Sequence, residues 1–286
     1  MTVGFLVVDK PSGMTSHDVV ARVRRATGIK KSGHAGTLDP MATGVVVVAL
    51  GRATRLIRFV QDQEKEYVAT ATFGIATDTL DADGEVVGRV AMSLTAEDLD
   101  RIRPRFVGEI SQVPPMVSAL KKDGRRLYAL AREGVEVDRE PRTVLIRELE
   151  ILGVGAGDHP AVSFRVVCGK GTYVRSLADD MARALGGFAH LTALRRTRTG
   201  VLTVEEAVAI EDLDRWREHL LDPSYVLAHM PAMTVDEERA RLVANGQALP
   251  TTPGLTGPIR VLDETGRLLA VYESDSRSAR PAVVIA

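Results

Sequence analysis

Residues 30–55 run K-K-S-G-H-A-G-T-L-D-P-M-A-T-G-V-V-V-V-A-L-G-R-A-T-R, and the rest of the chain is organised around this stretch. Lys30 and Lys31 lead into a loop flexed at Gly33 and Gly36. The loop presents one histidine, His34, and one carboxylate, Asp39. Pro40 biases Asp39 away from helical geometry. After Gly44 comes an unbroken apolar run, Val45 to Leu50, which fits a strand buried on both faces. Arg52 and Arg55 return positive charge directly afterwards. A lone acid on a flexed loop, ringed in sequence by cations that would hold it ionised, suits an active-site carboxylate. Asp before Pro is also a common turn signal, and spacing alone leaves the two readings level.

The whole chain sets the bounds. At 286 residues, 45% hydrophobic and 26% charged, it is an ordinary globular protein of one large domain or one and a half. Its one cysteine, Cys168, excludes an internal disulfide framework and fits a reducing compartment. Phe5 to Val8 is a short apolar run ended by Asp9 and Lys10, so no secretory segment is expected. Val45 to Leu50 is far too short to span a bilayer. A cytoplasmic location and no membrane partner are the expectations.

Net charge is only −1, yet the charges are segregated. Residues 30–58, 119–132 and 165–198 together hold 17 basic and 4 acidic residues, against 20 basic and 34 acidic elsewhere. Such windows, converging on one face, would bind a phosphate backbone.

Local signals assign the elements. Gly4 to Val8 is a strand. Thr15 or Ser16 caps a helix to about Thr27, stopped at Gly28. Thr54 to Gln61 and Thr95 to Arg103 are expected as helices. Glu66 to Phe73 alternates as a half-buried strand does. Phe106 to Val113, Val144 to Leu152 and Ala161 to Val167 follow as strands. The acidic stretch Thr77 to Gly84 lacks the distal glutamate of a calcium loop, so no metal is expected there. Ser118 to Gly134 is a basic turn and helix, within an arm of about 112–140. Gly169-Lys170-Gly171-Thr172-Tyr173 precedes a helix to about Leu185 and is a candidate anion site, with Lys170 and Tyr173 as RNA contacts. From Val204 acidic helices are expected, then a linker, then a small β-rich appendage from Thr234 with a helix at about 237–244. Strands outnumber helices and turns are short. The fold class is α+β with a largely antiparallel mixed sheet, and the domains run 1–222 and 231–286.

Six scattered histidines and one cysteine make a metal site improbable. No serine sits in a nucleophile elbow. What remains is one acid, Asp39, with Arg175, Tyr67 and His34 as candidate partners. That suits a covalent nucleophile, or a base held by an arginine, better than a glycosidase pair.

Four segments, in order, resemble the TruB family of tRNA pseudouridine synthases. They are Asp9-Lys10-Pro11 with Gly13 and Thr15-Ser16; Gly33 to Pro40 with Ala42-Thr43-Gly44; Gln112 to Pro115 with Ser118-Ala119-Leu120-Lys121; and Lys170 to Leu177. Lys65-Glu66-Tyr67 and Leu194-Arg195-Arg196 also match, so the resemblance spans about residues 3–200. It implies conversion of uridine-55 in the tRNA T-loop to pseudouridine, without cofactor or metal. It further implies that Asp39 is the catalytic carboxylate and Arg175 its salt-bridge partner. Tyr67 would stack on the target base and move a proton, and Leu194 would line the uracil pocket. His34 would occupy the space left by the flipped nucleotide. Lys10, Lys121 and the arm from Arg125 to Arg132 would contact RNA. The tRNA T-arm is the expected partner, with no obligate protein partner and a monomeric chain. The last segment matches the length and β-content of a PUA-like domain. Rival readings are an RNA N-glycosidase and a tRNA-folding chaperone.

Overall fold

The structure is a computed structural model that describes residues 2–118, 121–122, 125–126, 135 and 137–286. Strands β1 (Gly4–Lys10), β2 (Ser32–His34) and β3 (Thr43–Leu50) enclose helix α1 (Ser16–Thr27) in sequence. Helix α2 (Ile57–Gln61), strands β4 (Lys65–Phe73), β5 (Ile75–Thr77) and β6 (Val86–Arg89), helix α3 (Ala96–Ile102) and strand β7 (Gly108–Gln112) come next. The backbone of β8 (Lys121–Lys122) and β9 (Arg125–Arg126) forms a short hairpin. Then come β10 (Arg142–Val154), β11 (Ala161–Cys168), α4 (Val174–Ala184), β12 (Ala189–Thr199), β13 (Leu202–Thr203) and β14 (Val208–Ala209). The chain closes with α5 (Pro223–Val226), β15 (Ala232–Thr234), α6 (Glu237–Ala244), β16 (Gly257–Leu262), β17 (Leu268–Ser274) and β18 (Ala279–Val284).

Contacts group the chain into two units. The first holds residues 1–40, 44–63 and 198–286. Here β1 and β3 pair antiparallel from Gly4↔Leu50 to Lys10↔Gly44. Val45 to Leu50 are all buried, as an apolar run without alternation requires. Each of its valines and Leu50 contributes roughly 1.5–3 kcal/mol by leaving water. Helix α1 starts in a capping box: Thr15 Oγ1 accepts from the Asp18 N–H at 3.1 Å, and the Asp18 carboxylate accepts from the Thr15 N–H at 2.9 Å. It stops at Gly28, whose φ of 71° is left-handed. Val19, Val20 and Val23 form its buried stripe.

The same unit takes in the C-terminal segment. Strands β15 to β18 form a four-stranded sheet. One core lies between this sheet and α6, built on Val235, Val243, Ile259, Val261 and Tyr272. Leu268, Val271, Val283 and Ile285 instead join the core of Phe5, Val47, Ala49 and Leu56. Contacts group this C-terminal segment with the N-terminal strands.

The second unit holds residues 41–43 and 64–197. Its strands lie in the order β12-β4-β11-β10-β7. β4 alternates buried and half-buried along its whole length, and Tyr67 stands opposite Val166 of β11. Helices α3 and α4 flank the sheet. The architecture is α+β with a mixed sheet, flanking helices and a small β-rich C-terminal segment.

Three elements depart from expectation. Val204–Glu206 and Ile210–Arg215 are 3-10 turns, not acidic α-helices, because Val208 and Ala209 leave the helical path to pair in parallel with Val8 and Asp9. The helix expected from Thr54 is α only from Ile57, after a 3-10 turn at Gly51–Leu56. The helix expected within 118–134 lies outside the described residues.

Candidate active site

Each unit contributes one part of the set of residues singled out in the sequence. In the first unit, Asp39 sits half-buried in the irregular stretch between β2 and β3. Side chains brace this loop by gripping its backbone at three places and one of its rings at a fourth. Arg24 Nη2 of α1 donates to the Ser32 carbonyl at 2.6 Å. The His17 ring of α1 packs edge-on against His34, with centroids 5.0 Å apart and planes at 81°. Ser16 Oγ accepts the Leu38 N–H at 2.8 Å and lies 3.3 Å from the Leu38 carbonyl. Lys10 Nζ donates to the Pro40 carbonyl at 3.0 Å, and also to those of Met14 at 2.7 Å and Pro11 at 3.0 Å. The Gly13 N–H adds a 2.9 Å bond to the Pro40 carbonyl. The residues before and after Asp39 are thus both fixed, and Asp39 hangs between two clamps.

Lys10 is a correction. It was expected as an RNA contact, but the side chain is 0% exposed and its ammonium is committed to loop carbonyls. A buried ammonium is tolerable only when hydrogen-bonded in this way. The cations expected to ring Asp39 thin out as well. Arg55 donates to the Val284 carbonyl at 2.7 Å and Arg52 to that of Ala286 at 2.5 Å, so both serve the C-terminal segment.

In the second unit, Arg175 lies in the first turn of α4 and is 2% exposed. Its Nη1 donates to the Thr79 carbonyl at 2.7 Å and meets Asp81 Oδ2 at 3.0 Å; its Nη2 donates to the Val117 carbonyl at 2.8 Å. Asp81, 5% exposed, accepts at its other oxygen from Thr79 Oγ1 and from the Asp83 N–H. Leu80, beside it, adopts φ 62°, a left-handed conformation uncommon for a leucine. Two hydrogen bonds tie the loop down, from Leu80 N–H to Thr77 and from Leu191 N–H to Leu80. The acidic stretch is thus committed to the chain itself, holding a buried guanidinium.

The start of α4 is also occupied. Gln112 closes a reciprocal pair on Tyr173: its Oε1 accepts the Tyr173 N–H at 2.8 Å, and its Nε2 donates to the Tyr173 carbonyl at 3.0 Å. That takes one backbone donor from the expected anion site. Lys170 stays exposed on the turn before it. Tyr67 and Leu194 are both buried, on the neighbouring strands β4 and β12. Thr192 Oγ1 to the Thr70 carbonyl and Thr197 Oγ1 to Glu66 hold those strands in register. Besides Arg175, two further arginines of the third basic window are neutralised: Arg165 by Glu66, Glu148 and Glu150, and Arg183 by Asp179. Nothing is described of the side chains of Lys121 and Arg125.

Ser16, His17, Asp81 and Gln112 were not singled out as supports. Ser16 alone carried a local signal, as part of a capping sequence. Among the described residues no cluster of His, Cys, Asp and Glu could hold a metal ion, and no helix is long and apolar enough to cross a membrane.

Comparison with known proteins gives these residues a family. Residues 24–174 match the model "TruB family pseudouridylate synthase (N terminal domain)". Residues 175–233 match "tRNA pseudouridylate synthase B C-terminal domain", and 230–286 match "tRNA Pseudouridine synthase II, C terminal". The tRNA pseudouridine synthase B of Symbiobacterium thermophilum is 51% identical over 246 residues, 86% of this chain and 82% of that one. That of Thermobifida fusca is 44% identical over 292 residues, 100% and 99% of the two chains. Among solved structures, "Crystal Structure of a Cbf5-Nop10-Gar1 Complex" superposes with a TM-score of 0.77 at 27% identity, covering 99% of this chain and 84% of that one. The family models and these relatives define the class, a pseudouridine synthase and hence an isomerase. Within that class, the chain belongs to the TruB family.

Proposed function

We propose that the chain converts uridine-55 in the T-loop of tRNA to pseudouridine, with Asp39 as the catalytic carboxylate. The N1–C1′ bond breaks, the uracil turns, and C1′ is rejoined to C5; N1 gains a proton and C5 loses one. The sum is an isomerisation, so no oxidant, reductant or co-reactant enters. Tyr67 stacks on the extruded base and Leu194 forms an apolar wall of its pocket. Arg175 pairs with Asp39 and keeps it ionised. His34 enters the space that the flipped nucleotide vacates. The chain works in the cytoplasm as a monomer, without metal or cofactor.

The observation that carries this reading is the bracing of the Asp39 loop on both sides of one carboxylate, in a chain of this family. Such preorganisation suits a group that must meet a reacting atom with small error.

The test is pseudouridine mapping on an unmodified tRNA transcript, with EDTA present and nucleotides absent. The wild-type chain should modify the T-loop uridine alone. Asp39→Asn should lower the single-turnover rate by at least ~10⁴-fold while tRNA affinity stays within about threefold. Release of free uracil would instead mark an N-glycosidase. Tight binding with no product from the wild-type chain would mark a chaperone.

A further inference from the structure

Some surface arginines of the molecule stand beside an acid. Arg101 meets Asp98 at 2.8 Å, Arg103 meets Asp100 at 3.1 Å, and Arg147 meets Glu64 at 2.8 Å. Arg215 and Arg241 meet Glu218 and Glu237, each at 2.6 Å. Helix α1 and the loop after it carry basic residues of the other kind. Residues 19–38 contain Arg22, Arg24, Arg25, Lys30 and Lys31, and no aspartate or glutamate. Arg24 is used on Ser32. Among the described residues no acid lies within ion-pair distance of Arg22 or Arg25.

Asp18 stands one turn before Arg22, at the spacing helices favour for such pairs. Its carboxylate is drawn away to Thr15, accepting from N at 2.9 Å and from Oγ1 at 2.6 Å. Those bonds hold its pKa below the usual carboxylate range. The exposed side of α1 therefore presents two guanidinium groups three residues apart. They line a shallow cleft of about 320 Å³ with Met14, Ala21 and the edge of Asp18. At the first turn of the same helix, His17 packs against His34. One helix therefore carries both the cleft and the ring that meets the His34 loop.

We propose that the Arg22–Arg25 cleft of α1 is a docking site for a backbone phosphate of the RNA whose target nucleotide meets the His34 loop. The inference rests on the proposed tRNA substrate and adds a contact point on α1. Planar guanidinium forks suit bidentate contact with phosphate. Keeping both arginines outside ion-pair distance of an acid gives up little folding stability, since exposed ion pairs contribute only about 0–1 kcal/mol, and it leaves most of the positive charge available beside Asp18. Phosphate contacts fix register and orientation without reading sequence.

The test is filter binding of a tRNA transcript across a salt series, with the full-length double variant Arg22→Gln, Arg25→Gln. The expected result is a dissociation constant raised about 5- to 20-fold at low salt. The slope of log K against log salt should become shallower by roughly 1 to 2. The single-turnover rate at saturating tRNA should be unchanged, and so should the melting temperature. Arg101→Gln, an arginine already neutralised, should leave both affinity and slope as they are. An unchanged slope in the double variant overturns the proposal, as does an equal loss in Arg101→Gln. A wild-type chain that binds tRNA with this salt behaviour but makes no pseudouridine refutes the activity and leaves the cleft standing.

Discussion

The loop carrying Asp39 and the loop carrying Asp81 hold their key groups in opposite ways. Around Asp39, side chains from β1 and α1 grip main-chain atoms of residues 32, 38 and 40. Around Arg175, a carboxylate and two carbonyls grip the charged head group itself. The first device fixes where a side chain starts; the second fixes where it ends. A carboxylate that must approach a substrate gains from being positioned through its backbone. A cation whose task is to set the field gains from being locked by its head group.

That contrast predicts the largest effect at Asp81. Asp81→Asn removes the charge from a pair in which Arg175 is 2% exposed and Asp81 5%. Breaking such a buried pair costs about 3–5 kcal/mol of stability. Misplacing the guanidinium by about 1 Å should also lower kcat about 100-fold. Denaturant melts and single-turnover assays under conditions where the variant stays folded would measure the two effects separately. A variant with undiminished kcat would break the idea that charge orients Arg175.

The next effect in size falls in the other loop and should have the opposite balance. Lys10→Met keeps the length of the side chain and deletes three donated hydrogen bonds. Each bond from a charged donor contributes roughly 1.5–3 kcal/mol, and the losses are not additive. A destabilisation of about 2–4 kcal/mol is expected, with a fall in kcat of about tenfold or less. A larger loss of tRNA affinity than of stability would return Lys10 to the RNA surface and undo its reassignment to the interior.

These two loops also separate what the sequence made legible from what it hid. The apolar run from Val45 to Leu50 could mean only a doubly buried strand, and Thr15 with Asp18 announced the start of α1. Both signals are local, and periodicity or capping chemistry is enough to read them. The family resemblance singled out Asp39, Tyr67 and Arg175 for the proposed site. No local pattern, however, could reveal that Arg175 meets an acid 94 positions earlier. That contact exists only because the Leu80 turn is bonded to Leu191 and lies beside the start of α4. Lys10 misled for the same reason. A lysine beside Pro11 and Gly13 looks exposed until the loop closes and brings three carbonyls to its ammonium. The sharing of β17 and β18 between two cores was equally hidden, since it depends on contacts far apart in sequence.

The smallest expected effect tests whether bracing extends to the side chain of His34. An aromatic pair contributes about 0.5–1.5 kcal/mol beyond its burial, which corresponds to roughly 2- to 12-fold in an equilibrium. His17 is exposed, so removing its ring should shift folding stability by no more than about 0.5 kcal/mol. His17→Ala should therefore raise KM for tRNA about three- to tenfold while kcat at saturation stays constant. His17→Phe restores an edge-to-face ring without an imidazole and should recover most of the loss. If Phe fails where Ala failed, the contact depends on a nitrogen of His17 and not on ring packing. If Ala has no effect, His34 is positioned by its backbone alone, and the Asp39 loop keeps its clamps on residues 32, 38 and 40 without a brace at the ring.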